Sequence, residues 1–174
     1  MYRRSVIGLL VAALSALPIL GARVPRPATE LTFEVPGGGP MNLSRFKGKV
    51  VALEFLLTTC PHCKRTSSVM QKLYGEYGPK GFQAIGVAFN DASPDMVRQY
   101  VSELQLTYPV GLGNRDRVVD FLQHPIMLTL WTPIVVVIDK EGTIRGQFPG
   151  TDAFFKNEEG NMRQWIESLL AEKR

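Results

Sequence analysis

Val50-Val51-Ala52-Leu53-Glu54-Phe55-Leu56-Leu57-Thr58-Thr59-Cys60-Pro61-His62-Cys63 is the stretch on which the reading of this chain turns. Val50 to Leu57 is a nearly unbroken apolar run of strand length, as a central strand buried on both faces requires. Pro61 suits the first position of a helix, and Val69, Met70, Leu73, Tyr74 and Tyr77 then repeat at helical spacing until Gly78-Pro79 ends the element. Cys60 therefore falls where strand turns into helix, with Cys63 one turn further along the same face.

That placement carries chemistry. A thiol reacts as its thiolate, and unpaired N–H groups and the dipole at a helix N-terminus stabilise the negative charge. An exposed Cys60 can attack a disulfide while Cys63 waits within reach to resolve the mixed disulfide. The chain has two cysteines, so any internal disulfide joins these two. A lone Cys-x-x-Cys is also half of a zinc site, which needs four ligands. His62 and His124 are the two histidines that could supply nitrogen, and His62 sits inside the motif itself. Exchange chemistry is the stronger expectation, with no metal site.

Outward from the motif, strands and helices alternate. Leu31, Phe33 and Val35 alternate with polar residues up to Pro36-Gly37-Gly38-Gly39-Pro40, which predicts a hairpin loop; no Lys-Ser/Thr pair follows to make it a phosphate cradle. Phe82 to Phe89 reads as a second buried strand. Ser93-Pro94-Asp95 opens a helix carrying Met96, Val97, Tyr100, Val101 and Leu104 on one face. Tyr108 to Leu112 is a short strand and Asp116 to Leu122 a short helix. Ile134 to Ile138 is a third buried strand, joined through Asp139-Lys140-Glu141-Gly142 to an antiparallel strand, Thr143 to Phe148. Met162, Trp165, Ile166, Leu169 and Leu170 form the stripe of a closing helix. This order predicts an α/β fold: a mixed central sheet flanked by helices on both faces, with an N-terminal β-hairpin and a strand-helix insertion.

The 174 residues, 45% apolar and 21% charged, suffice for one domain with its own core and are too polar for a multi-span membrane protein. The formal charge of +4 owes part of its excess to Arg3 and Arg4, and no run of like charges follows, so nucleic acid is not an expected partner. Arg3-Arg4, the apolar stretch Val6 to Ala22 with Pro18, and the small residues Gly21-Ala22 compose an export signal. Leu20 stands where a cleavable signal prefers a small residue, which leaves an uncleaved membrane anchor open. Arg3-Arg4-Ser5 also weakly resembles a twin-arginine signal. The expected organisation is a signal or anchor over residues 1–22, an extended leader over 23–29, where Pro25 and Pro27 deny helix, and a domain over 30–174. Either reading puts the domain outside the cytoplasm, secreted or anchored.

From about Leu31 to Leu170 the chain resembles the thioredoxin-like thiol:disulfide oxidoreductases, and within them the exported TlpA/ResA-type branch. The markers are Val51-Ala52-Leu53-Glu54-Phe55 leading to Cys60-Pro61-His62-Cys63, and Thr132-Pro133-Ile134-Val135-Val136-Val137-Ile138-Asp139 with Gly142 after it. The resemblance implies a thioredoxin-like fold, a cis Pro133 facing the disulfide, and pairing of Thr132 backbone atoms with an incoming polypeptide. A simple strand-start proline fits the local sequence equally well. Glu54 aligns with the buried acid that helps move the proton of the second cysteine; an edge or solvent-facing Glu is the competing reading.

His62 departs from the common reducing motifs. An imidazole between the cysteines favours the Cys60 thiolate and so a more oxidising disulfide, and Pro-His is also what DsbA-type oxidases carry. Thr59 stands where many relatives have Trp, and Trp131 is the candidate for an aromatic face from the opposite side. His124, Lys64 and Arg65 read as a satisfied loop histidine and solvated helix charges, and Phe154-Phe155 as a pair buried under the last helix. Peroxidase chemistry is disfavoured, because Leu57 and Leu53 hold the places of the Thr and Pro that a peroxidatic cysteine needs. The expectation is exchange with protein thiols or disulfides, a membrane redox partner being possible, with no cofactor beyond the Cys60–Cys63 disulfide. The alternative from another class is a soft-metal module in which the two cysteines carry Cu(I).

Overall fold

Three strands made almost wholly of apolar residues form the centre of the sheet because no side of them can face water. In the computed structural model, which describes residues 23–172, β4 (Val50–Leu56), β5 (Phe82–Ala88) and β7 (Ile134–Ile138) are buried at every position. Around them lie β1 (Arg26–Pro27), β2 (Thr32–Val35), β3 (Gly39–Asn42), β6 (Val110–Leu112) and β8 (Thr143–Phe148). The sheet runs β1-β8-β7-β4-β5-β6-β2-β3. β4 is parallel to β5 and antiparallel to β7, so the C-terminal end of β4 meets the N-terminal end of β7.

Alternation along β4 then divides the core. Val50, Ala52 and Leu56 pack with Cys63, Met70 and Leu73 of α1 (Pro61–Tyr77), Val97 and Tyr100 of α2 (Pro94–Glu103), and Met162, Ile166 and Leu169 of α4 (Glu158–Ala171). Val51, Leu53 and Phe55 pack on the other face with Val118, Phe121 and Leu122 of α3 (Arg115–Leu122) and with Leu31 and Phe33. Glu54 shares the face of Ala52 and Leu56, which sets it under α1.

Three expectations change on contact with the structure. Residues 23–29 are not a plain leader: Arg26 and Pro27 pair with Ile144 and Thr143, and the Ala28 amide donates to Gly142 O. Proline is tolerated there because an edge strand needs hydrogen bonds on one side only. Met96 is exposed rather than part of the buried face of α2, which is confined to Val97 and Tyr100. Arg65 is not merely solvated, since its Nε bonds the buried Glu158 at 3.2 Å. Phe154 is buried and stacks on Phe148 with centroids 4.3 Å apart. The expected signal or anchor over 1–22 lies outside the described residues. Among the described residues no helix is long and apolar enough to cross a membrane.

Candidate active site

The reactive end of the molecule forms where β4 stops. Thr58 is held to the far end of β5 by Asn90: the Thr58 amide donates to Asn90 Oδ1 and Asn90 Nδ2 donates to Thr58 Oγ1, each at 3.2 Å. The chain turns with a bond from the Cys60 amide to Leu57 O and enters α1 with Cys60 as N-cap and Pro61 in the first turn. An extended backbone at Cys60 (φ −83°, ψ 119°) aims its sulfur at the open amides of the helix, and the Cys63 amide donates to Cys60 Sγ at 3.4 Å.

The two thiols, both free, differ sharply. Cys60 is half-buried. Desolvation pushes its pKa up, but the Cys63 thiol and amide, the Thr132 hydroxyl and the His62 amide together outweigh it and hold the thiol below its ordinary value. Cys63 is fully buried, and burial followed by the charge of Glu54 pushes its thiol well up. The structure thus sets a half-buried thiol with a lowered pKa at Cys60 above a sealed thiol with a raised one at Cys63.

Glu54 is fully buried, and of the two readings open in the sequence the interior one is what the structure contains. Burial raises its pKa well above the carboxylate range; a hydrogen bond from Ser67 opposes this, and the charges of Glu158 and Cys60 add to it. Ser67 Oγ donates to Glu54 Oε2 at 2.7 Å and lies 2.8 Å from Tyr100 OH, while Tyr108 OH donates to Ser67 O at 3.3 Å. Glu54 Oε1 has no partner among the described residues. One residue back on α1, Thr66 Oγ1 donates in a short bond to Glu158 Oε1. Adjacent hydroxyls on one helix therefore bind two buried acids from opposite elements.

Across from Cys60, the Thr132–Pro133 peptide bond is cis and Thr132 Oγ1 points at Cys60 Sγ from 4.0 Å. Gly150 fixes this segment, its amide donating to Trp131 O at 2.9 Å. No larger residue fits there, because a Cβ on Gly150 would stand 2.6 Å from Thr132 O. Trp131 is 58% exposed beside the site, and His62 and Thr59 are exposed on the opposite lip. His62 contributes its amide to the Cys60 sulfur. His124 Nε2 lies 3.2 Å from Leu128 O, the satisfied loop position expected of it.

Cys60, Pro61, His62, Cys63, Glu54, Trp131, Thr132 and Pro133 thus converge on one end of the sheet. Ser67, Tyr100, Tyr108, Asn90, Glu158 and Gly150 were not foreseen; each acts through a contact far apart in sequence. Among the described residues no group of three or more His, Cys, Asp or Glu side chains is placed to hold a metal ion.

Comparison with known proteins agrees with this geometry. Residues 24–147 match the AhpC/TSA family. The thiol-disulfide oxidoreductase ResA of Halalkalibacterium halodurans is 31% identical over 125 residues, which are 71% of this chain and 66% of that protein. The ResA of Oceanobacillus iheyensis is 35% identical over 91 residues, 52% of this chain and 47% of the relative, so the match spans less than two thirds of either relative's own length. In structure, a thiol:disulfide interchange protein of the thioredoxin family from Chlorobium tepidum superimposes with a TM-score of 0.71 at 22% identity, covering 87% of this chain and all of the other. The sheet order, the Cys60–Cys63 turn at the head of α1 and the match over most of the described residues lead to one conclusion: the chain belongs to the AhpC/TSA family, has the thioredoxin-like fold, and lies on the ResA-type branch of that family.

Proposed function

We propose that this protein is an extracytoplasmic thiol:disulfide oxidoreductase that exchanges a Cys60–Cys63 disulfide with the thiols or disulfides of other proteins. The observation that carries the reading is the asymmetry of the pair: a half-buried Cys60 sulfur collects hydrogen bonds at the head of α1 and faces Thr132, while Cys63 is sealed beneath it beside Glu54.

In the reducing direction the Cys60 thiolate attacks a partner disulfide, forming a Cys60–partner S–S bond and releasing the partner's other sulfur as thiolate. Cys63 then gives its proton to the Glu54 carboxylate and attacks Cys60 Sγ. The mixed disulfide breaks, the partner's second thiolate leaves, and the Cys60–Cys63 disulfide remains. Two electrons have moved to the partner. The reverse sequence delivers a disulfide. Two buried negative charges side by side are costly, so a proton passing directly between Cys63 and Glu54 avoids both ionising at once.

Export to the cell envelope rests on Arg3-Arg4 and the apolar stretch after them, and an envelope location brings an electron donor or acceptor in the membrane within reach. Insulin reduction, monitored by precipitation of its B chain in a thiol buffer, tests the activity. Wild type should accelerate the reaction and Cys60→Ser should not. No thiol-dependent turnover by wild type in any redox buffer would exclude the reading.

A further inference from the structure

Two carboxyl groups are sealed against α1, and the exchange chemistry described above uses one of them. Glu54 of β4 is 0% exposed and Glu158, the first residue of α4, is 6% exposed. Burial strips water from a charge, so a second acid in such a place needs a reason. Glu158 is held as an anion. Thr66 Oγ1 donates to its Oε1 in a short bond, Arg65 Nε bonds its Oε2 at 3.2 Å, and the open amides at the head of α4 favour negative charge there. Its neighbour Glu159 differs, lying at the surface between Lys72 at 2.8 Å and Arg163 at 3.1 Å.

The two acids are tied to consecutive residues of one helix, Thr66 to Glu158 and Ser67 to Glu54, and both hydroxyl residues are fully buried. Consecutive α-carbons stand about 3.8 Å apart, which brings the carboxyls within electrostatic range across a space holding little water. The Glu158 charge accordingly makes Glu54 hold a proton more tightly. No cation answers it at Glu54 itself. There α1 presents Cys60, Cys63 and Ser67, α2 presents Tyr100, the segment before β6 presents Tyr108, and β5 and β7 pair Gly86 and Val135 with Glu54. Arg65 bonds Glu158 rather than Glu54, and its side chain is 55% exposed. A purely structural Glu158, joining α4 to α1, could equally be Gln, which accepts the Thr66 bond as well. Charge is what Gln lacks.

Resting on the exchange reading of Cys60 and Cys63, we propose that Glu158 is a positioning residue of the resolving step, whose buried charge sets the pH at which Glu54 accepts the Cys63 proton, with Arg65 as the counterweight. The site then contains two acids in different roles: Glu54 receives the proton, and Glu158 fixes how readily it does so.

The test follows the reduced full-length protein mixed with dithiobis(nitrobenzoate) in a stopped-flow instrument between pH 5 and 9. Cys60 attacks the reagent and releases one thionitrobenzoate; Cys63 then displaces the second from the mixed disulfide, leaving Cys60–Cys63. The second phase reads the resolving step. Unit charges about 10 Å apart at an effective dielectric of about 20 move a proton equilibrium by about one pH unit. In Glu158→Gln the midpoint of the second phase should therefore fall by about one pH unit, with that of the first phase unmoved. Glu158→Asp should return it toward wild type. Arg65→Gln should raise it, by less, because an exposed cation is screened. Opposite movements in these two variants are what a loss of helix contacts would not produce. A midpoint of the second phase that does not fall in folded Glu158→Gln would overturn this inference alone. Should Glu158→Gln not fold, Arg65→Gln decides, and a midpoint that does not rise there would overturn it. Absence of a second phase in wild type would overturn the exchange reading and the inference with it.

Discussion

Ser67 Oγ donates to one carboxyl oxygen of Glu54 at 2.7 Å, and the other, the buried Oε1, has no partner among the described residues. The acid is thereby held by one oxygen and free at the other. Ser67 is itself bonded to Tyr100 OH, so the hold on Glu54 extends to α2. Removing the hydroxyl with Ser67→Ala withdraws a bond that stabilises the carboxylate, which raises the Glu54 pKa further and moves the pH profile of the resolving step to higher pH. It also leaves Tyr100 OH unpaired in the core, at a cost of about 1–3 kcal/mol. Stopped-flow reduction across pH and thermal unfolding measure the two effects, and Ser67→Thr should restore much of both.

Glu54→Gln removes the proton acceptor and should slow release of the mixed disulfide by about a hundredfold while the first attack by Cys60 persists. Its effect on stability has a defined sign. The folded-state pKa of Glu54 lies above the unfolded one, so the protonated form contributes stability in full below the unfolded carboxylate pKa of about 4.3 and loses it as pH rises through the folded value. Wild type should therefore lose stability relative to Glu54→Gln above about pH 4.3, by at most about 1.4 kcal/mol per pH unit for one proton. Urea unfolding of both proteins between pH 4 and 9 checks this.

Alkylation separates the two thiols. Iodoacetamide should modify Cys60 with a midpoint below that of an ordinary cysteine, and Cys63 only after unfolding, because one thiol is depressed and the other buried and raised. Mass-spectrometric mapping at increasing pH is the measurement.

His62 lies exposed at the lip between the two cysteines, and its amide bonds the Cys60 sulfur. His62→Ala should make the disulfide less oxidising, by about 30 mV if the imidazole stabilises the thiolate tenfold. Equilibration of both proteins with glutathione gives the difference. A wild-type potential near the value of about −270 mV found for thioredoxin would remove the basis for an oxidising role of His62.

Gly150→Ala places a methyl group against Thr132 backbone atoms at 2.6 and 2.8 Å, which cannot yield as a side-chain tip can. A loss of about 1–3 kcal/mol in thermal unfolding and a fall in insulin reduction are expected together, as the Thr132–Pro133 segment is displaced from Cys60.

How far the sequence carried the structure depended on the range of the interactions involved. β7 and β8 were legible to the residue, because a wholly apolar run, the Asp139–Gly142 turn and an alternating run follow in order, and Gly142 takes the positive φ of 90° that such a turn demands. The β4–α1 junction was legible for the same local reasons. β1 was hidden because Pro25 and Pro27 argue against strand unless the strand is known to lie at an edge. Ser67, Asn90, Glu158 and Gly150 were silent since each is an ordinary polar or small residue whose role comes from a partner brought near only by the fold. Whether Glu54 faced the core was likewise undecidable from an apolar strand alone; it required α1 to close over that face.

The central claim is that Cys60 attacks and Cys63 resolves, and Cys63→Ala tests it most directly. Incubated with a disulfide-containing unfolded protein, this variant should accumulate a covalent adduct on a non-reducing gel, linked through Cys60 by mass spectrometry and dissolved by dithiothreitol, while Cys60→Ser yields none. Absence of an adduct from Cys63→Ala, or an equal yield from Cys60→Ser, would contradict the account.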